Sequence, residues 1–310
     1  MRIGLVVDAS CDLPDSQLEA HGIRILPSIL HFDSKSWVDE RDPAKTLMFY
    51  RRFISDRAVA ARSGSCSVQE IREIFLQELV VDFERVLVVS ACAEFSDVFQ
   101  RATEASYSIL QGYRERRRAG DRSGSFALRV LDSRTICAGE AVMVCRALQL
   151  LAAGQLGFEK MRRALRDDAA RITCLLAPGD PWYLRQRGLD GNGAGLGRGD
   201  YALARGLDLQ PLLELSGGRS RTIARARGFS AACAAALKRA GEAIARGLGT
   251  PALVLSFGGD PRVIREMDAY QELESLAASA RIDMHFAVMS ATMGARIGPG
   301  ALSVAWLSAA

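Results

Sequence analysis

Short apolar runs alternate with amphipathic stretches from the first residues of the chain. IGLVVD (3–8), RVLVVS (85–90) and ALRVLD (127–132) are rich in β-branched and aliphatic residues and are predicted as strands. LPDSQLEAHG reads as a helix that opens at a proline and stops at Gly22. PAKTLMFYRRFIS (43–55) is helical in pattern, and SVQEIREIFLQELV (67–80) carries Ser67 and Glu70 at capping-box spacing. Val98, Phe99, Ala102, Ile109, Leu110 and Tyr113 continue a helical stripe after the second strand, and CAGEAVMVCRALQLLAAG (137–154) predicts a largely buried helix. IRILPSILHF (23–32) is a further extended run in which Pro27 marks an edge or a break. Strand–helix alternation of this kind predicts parallel βαβ units.

The second half changes character after a helix at about 158–169. RITCLLA (171–177), ALVLSFGG (252–259) and IDMHFAVMS (282–290) are predicted strands, and FSAACAAALKRAGEAIARG and VIREMDAYQELESLAASA predicted helices. The stretch 207–228 predicts a hairpin turning at Ser216-Gly217-Gly218. GLDGNGAGLGRG (188–199) places glycine at nearly every second position and reads as a flexible loop. SATMGARIGPGAL (290–302) reads as a second glycine-rich loop. The expected architecture is two α/β domains, 1–160 and 161–310, with mostly parallel sheets flanked by helices and a ligand site between them.

Three strands end in small polar residues: Asp8-Ala9-Ser10, Ser90-Ala91-Cys92 and Asp132-Ser133. In open α/β sheets ligands sit outside the carboxyl ends of the strands. For Ser133 and Asp12, capping of the following helix is at least as good a reading.

Composition narrows the chemistry. The 310 residues are 49% hydrophobic and 25% charged with a net charge of +4, which is globular and only mildly basic. That balance does not argue for nucleic acid. The densest positive run, RERRRAGDR (114–122), lacks interleaved aromatics for base stacking and reads as a solvated helix end. Seven cysteines show no C-x-x-C spacing and there are three histidines, so no metal site is expected. No apolar run approaches a membrane span and no signal peptide opens the chain, which predicts a cytoplasmic protein.

Several ordered blocks resemble the DegV family of two-domain α/β proteins that bind long-chain fatty acids. VVDASCDLP looks like the family's D-S-T-A-D-L-P turn, and SGSCSVQEI (63–71) is similar to T-S-Q-P-S-P-G-E-F. CAEFSDVFQRA (92–102) resembles S-S-K-L-S-G-T-Y-Q-S-A, and VLDSRTICAG (130–139) resembles V-I-D-S-K-S-A-S-M-G. The hairpin 209–228 resembles the segment ending K-V-R-G, where Arg227 keeps the arginine, and 290–302 resembles I-G-T-H-T-G-P-G-A-L. The resemblance implies a fatty-acid carboxylate held by the hydroxyls of Ser63 and Ser96 and by nearby backbone N–H groups. It places Ser65, Arg227 and Arg296 at the same site. It also implies presentation of the acyl chain to a separate fatty acid kinase, with no catalytic residue and no cofactor in this chain. There are departures. Asp97 stands where the family has glycine, Arg296 where it has histidine, and Gly64 and Ser65 replace Ser and Gln.

Such a ligand needs an apolar tunnel for its tail, since burial is worth about 0.8 kcal/mol per methylene. Its buried head needs hydrogen-bond donors. Asp97 is expected to point outward as a first-turn acidic residue. The alternative is a nucleotide- or phosphate-dependent enzyme using the glycine-rich 188–199 and 294–300 segments, although neither has Walker or G-x-G-x-x-G spacing. A hydrolase is disfavoured, because no G-x-S-x-G elbow is present and His21, His31 and His285 are few candidates for a base. Cys66 and Cys92 fall in the expected site loops as candidate reactive thiols.

Overall fold

A computed structural model describes residues 2–32, 35–52, 57, 61–187 and 197–309. The strands, in chain order, are β1 (Ile3–Asp8), β2 (Arg24–Leu26), β3 (Ser28–Phe32), β4 (Lys35–Asp39), β5 (Ala61–Ser65), β6 (Arg85–Ser90) and β7 (Ala127–Asp132). They continue with β8 (Ile172–Ala177), β9 (Leu209–Ser216), β10 (Arg219–Arg227), β11 (Leu248–Phe257), β12 (Asp283–Val288) and β13 (Leu302–Ser308).

The first sheet has the order β2-β1-β6-β7 and is parallel throughout, as the βαβ pattern predicts. The extended run 23–32 divides at Pro27, which has no N–H to donate to a ladder. Its first part, β2, stays in the parallel sheet. Its second part, β3, enters a separate antiparallel sheet of order β4-β3-β5. That three-stranded sheet was not anticipated, because its strands are short and only partly buried.

The second large sheet has the order β10-β9-β8-β13-β11-β12. Only its β11–β12 pair is parallel; the other four pairs are antiparallel. The parallel expectation thus holds for the first sheet, and two features make the second sheet mixed. The 209–227 hairpin pairs antiparallel by construction, with Gly217 and Gly218 at φ 59° and 82° in its turn. The last strand, β13, inserts between β8 and β11 and runs against both.

The Ala138–Ala153 helix lies between the two large sheets. Its first seven residues are fully buried. They share one core with Leu5 and Val7 of β1 and with Val254, Ala305 and Leu307 of the second sheet. Apart from Glu140 this buried half of the helix is apolar, which suits a place between two sheets. Gly139 permits the approach to β8, since a Cβ there would fall 3.0 Å from Cys174 Cβ.

Other helices follow the sequence pattern with local differences. Ser67 and Glu70 form the expected capping box, and the helix then widens into a π turn at Phe75–Leu79. The predicted 43–55 helix is seen as Pro43–Arg52, and residues 53–55 lie outside the described residues. Most of the predicted 188–199 loop, residues 188–196, also lies outside them, and a helix, Arg198–Leu207, begins where the loop was expected to end. All seven cysteines are free and buried. Among the described residues, no helix is long and apolar enough to cross a membrane, and no cluster of His, Cys, Asp or Glu has metal-site geometry.

Candidate functional site

The loops at the carboxyl ends of β1 and β6 are tied together by Asp8. Its Oδ1 accepts the Ser10 N–H at 2.8 Å and its Oδ2 the Ala91 N–H at 2.6 Å. Burial pushes the Asp8 carboxyl above its usual range, and these two donors oppose the shift. Ser10 Oγ in turn donates to Glu140 Oε2 at 2.7 Å, in the first turn of the central helix. Ser133 folds back on Thr135 instead of capping the next helix, donating from Oγ to the Thr135 carbonyl at 3.1 Å.

The stretch 290–302 is not a loop. Residues Ala291–Ile297 form a helix, and Ser290 caps it through Oγ accepting from the Met293 N–H at 3.2 Å. Two turns containing a glycine give too short and weak a period to register as a helix in sequence. The glycines serve close packing and chain reversal. A Cβ on Gly294 would sit 2.4 Å from the Tyr50 hydroxyl oxygen, and one on Gly298 2.4 Å from the Tyr183 ring. Gly298 and Gly300 also have φ of 92° and 71°. The N–H groups of Gly294, Gly298 and Gly300 donate to the Ser290, Gly294 and Gly258 carbonyls.

Arg296, on the last turn of this helix, reaches β5. Its Nε donates to Ser63 Oγ at 3.0 Å, and its Nη1 donates to the Phe95 carbonyl. Ser96 lies in the turn just before the Val98–Ser108 helix, where its N–H donates to the Cys92 carbonyl and its Oγ accepts weakly from the Val98 N–H at 3.4 Å. The chain thus brings Ser63, Ser96 and Arg296 together from three separate segments.

Ser63, Gly64, Phe95, Ser96 and Arg296 border two spaces at once. On the inner side is a small cavity of about 20 Å³ with Asp8, Ser10, Ser28 and Thr292 in its walls. On the outer side is a cleft of about 840 Å³ running along Phe99, Thr103 and Tyr107. The cleft is open to solvent, where a closed apolar tunnel was expected; Glu94, Asp97, Gln100 and Glu104 rim it. Of the wall residues Ser10, Ser28 and Thr292, the sequence marks one. The strand-end pattern Asp8-Ala9-Ser10 was the available signal for the first of them.

Asp97 is held sideways. Its Oδ1 accepts from Ser65 Oγ at 2.5 Å and its Oδ2 pairs with Arg101 Nη2 at 2.7 Å. Arg101 also donates to the Ser65 and Cys66 carbonyls, each at 3.1 Å. Ser65 is therefore engaged in orienting Asp97. Arg227 stands opposite Leu209, at the far end of β10 from the hairpin turn. The turn itself approaches the site region, with Gly218 N–H donating to the Arg134 carbonyl. The structure does not bring Arg227 to the Ser63–Arg296 cluster.

A buried polar knot fixes the Arg296 helix. Asp12 accepts from Arg41 Nη1 at 3.2 Å, Ser256 Oγ at 2.6 Å and the Ser290 N–H at 2.9 Å. Asp39 accepts from the Thr292 N–H at 2.8 Å and Oγ1 at 2.7 Å. Asp12 thus ties the first turn of the chain to its last helix, and does not cap the Asp15–Ala20 helix, whose N-cap is Pro14. The two candidate thiols are buried. Desolvation raises the Cys66 pKa and pushes Cys92 to about 12, so neither is a thiolate at neutral pH.

The sequence profile of the DegV family, described as an uncharacterised protein family, matches residues 2–309. The chain belongs to the DegV family. A DegV domain-containing protein of Xanthomonas campestris is 31% identical over 306 residues, covering 99% of this chain and 97% of the relative. Among solved DegV-like structures, a stearic acid-binding protein of Eubacterium ventriosum superposes with a TM-score of 0.77 at 19% identity, covering 98% of this chain and 97% of that one. A fatty-acid-binding DegV family protein of Thermus thermophilus superposes with a TM-score of 0.74 at 21% identity, over 100% of both chains.

Proposed function

We propose that this DegV-family chain binds a long-chain fatty acid, with the carboxylate at the neck between the inner cavity and the outer cleft. The observation that carries the reading is the convergence of Ser63, Ser96 and Arg296 on that neck. Ser63 and the Phe95 carbonyl fix the plane of the guanidinium. A guanidinium so fixed holds a carboxylate through paired charge-assisted hydrogen bonds. The two serine hydroxyls complete the set of donors a desolvated head requires.

The acyl tail runs outward along Phe99, Thr103 and Tyr107. The pairing of Asp97 with Arg101 and Ser65 reduces, without abolishing, its repulsion of the ligand's charge. The site lies between two domains, 1–160 and 161–310, and the protein is an acyl carrier that presents its ligand to a partner fatty acid kinase. The fatty acids bound by structural neighbours from Eubacterium ventriosum and Thermus thermophilus support the ligand class.

Lipid extracted from freshly purified protein and analysed by mass spectrometry tests the proposal. The expected result is a stoichiometric long-chain fatty acid, or stoichiometric uptake of added palmitate or oleate. Failure of both in a folded sample overturns it.

A further inference from the structure

The arginine run at 114–122 ends a helix with Arg114, Arg116, Arg118 and Arg122 exposed, as its composition predicts, and Arg117 is the exception. Arg117, on the Tyr113–Ala119 helix, is only 4% exposed. Its Nη1 donates to the Val80 and Phe83 carbonyls at 2.7 and 2.9 Å, and its Nη2 to the Ser123 carbonyl at 3.1 Å. Its Nε is buried without a hydrogen-bond partner. Arg114, Arg117, Arg118 and Arg122 line a recess of about 610 Å³ together with Ser123 and Ser125.

These four guanidinium groups make no ion pair among the described residues, and Asp121 is the one carboxylate in the lining. Several arginines elsewhere are paired: Arg24 with Asp82, Arg129 with Glu159, Arg146 and Arg171 with Asp168, and Arg221 with Glu214. Carbonyl acceptors engage both terminal nitrogens of Arg117 but supply no negative charge, and a buried charge calls for a counter-charge. The recess lies within the size range of small-ligand sites. Guanidinium forks and hydroxyls match the geometry of a phosphate group.

We propose that this recess binds a phosphate group, carried by a small soluble anion or by a lipid headgroup. It is separate from the acyl site. Val80, Phe83 and Ser123 lie at the amino ends of β6 and β7, whereas Ser96 follows the carboxyl end of β6. A six-residue strand spans about 20 Å. The inference therefore stands or falls independently of fatty-acid binding.

The test measures pyrophosphate binding by isothermal titration calorimetry. In parallel, it measures co-sedimentation with phosphatidylcholine vesicles made with and without phosphatidylglycerol. Saturable binding is expected in at least one arm at physiological ionic strength, and the responding arm identifies the source of the phosphate. Arg114→Gln/Arg118→Gln, at two exposed positions, is expected to weaken that binding roughly tenfold or more. A far-ultraviolet circular dichroism spectrum and a cooperative melting transition matching wild type report that the double variant's fold is intact. Arg262→Gln, at a paired surface arginine, serves as the charge control. Binding in neither arm, unchanged binding by the double variant, or an equal loss in Arg262→Gln overturns the proposal.

Discussion

Arg296 donates from Nε to Ser63 Oγ at 3.0 Å, joining the last turn of a C-terminal helix to an edge of the three-stranded sheet. The bond orients the cation at the neck of the proposed site. Hydrogen bonds to charged groups contribute about 1.5–3 kcal/mol each. Arg296→Gln is therefore expected to weaken fatty-acid binding roughly 10- to 100-fold, read by displacement of a fluorescent acyl probe. Arg296→His is expected to recover binding as pH falls below about 6.5, where imidazole gains its proton. Equal affinities for wild type and Arg296→Gln would remove the arginine from the site.

Asp97 gives a prediction of opposite sign. Its side chain is 48% exposed and it pairs with Arg101, which is also partly exposed. Such pairs contribute about 0–1 kcal/mol, so Asp97→Asn is expected to leave the melting temperature nearly unchanged. Removing a negative charge from the cleft rim is expected to tighten fatty-acid binding a few-fold, in proportion to the Coulomb energy at effective dielectric constants of about 20 or more. Weaker binding by Asp97→Asn would mean that the Ser65–Asp97–Arg101 chain positions a ligand donor.

The parts of this fold that sequence reveals are those whose physics is local. β1 and β6 are continuous apolar runs, β7 is apolar apart from Arg129 and its last residue, and the capping box at Ser67 is a contact between residues three positions apart. The hairpin turn is legible because Gly217 and Gly218 both adopt positive φ. Ser63 and Ser96 entered through resemblance to a family, since hydroxyls on their own mark no site. The short helix bearing Arg296 was hidden because Gly294 serves a contact with Tyr50, which lies far away in sequence. The placement of β13 between β8 and β11 and the parting of the chain at Pro27 are likewise decided by distant partners. Asp12 looked like a helix cap for the same reason: Ser256, Ser290 and Arg41 are remote from it in the chain.

That Asp12 knot predicts a large stability effect. Asp12→Ala leaves Arg41 buried beside a missing counter-charge and frees the Ser256 hydroxyl and the Ser290 N–H. Breaking a buried pair from one side costs about 3–5 kcal/mol, which denaturant unfolding would read as a lowered midpoint. Asp12→Asn, which keeps an acceptor, is expected to lose less. A loss below about 1 kcal/mol for Asp12→Ala would show that the knot is dispensable.

Glu140 predicts a pH dependence. It is fully buried, its Oε1 has no partner, and burial, reinforced by repulsion from Asp8, holds its carboxyl well above the usual value of 4.5. Between that usual value and the raised one, the folded chain keeps a proton that the unfolded chain has lost. Stability from this group is therefore complete below pH 4.5 and is lost as pH rises towards the folded-state value. Asp8 and Asp12 are shifted in the same direction, so the wild-type slope is a sum. Glu140→Gln isolates one contribution, because the amide keeps an acceptor for Ser10 Oγ and does not titrate. Whatever offset separates the two proteins at acid pH, the difference in unfolding free energy is expected to move in favour of Glu140→Gln as pH rises through neutrality. Parallel stability curves across that range would mean that Glu140 ionises in the fold without penalty, and that the interior beneath Ser10 is more polar than its burial indicates.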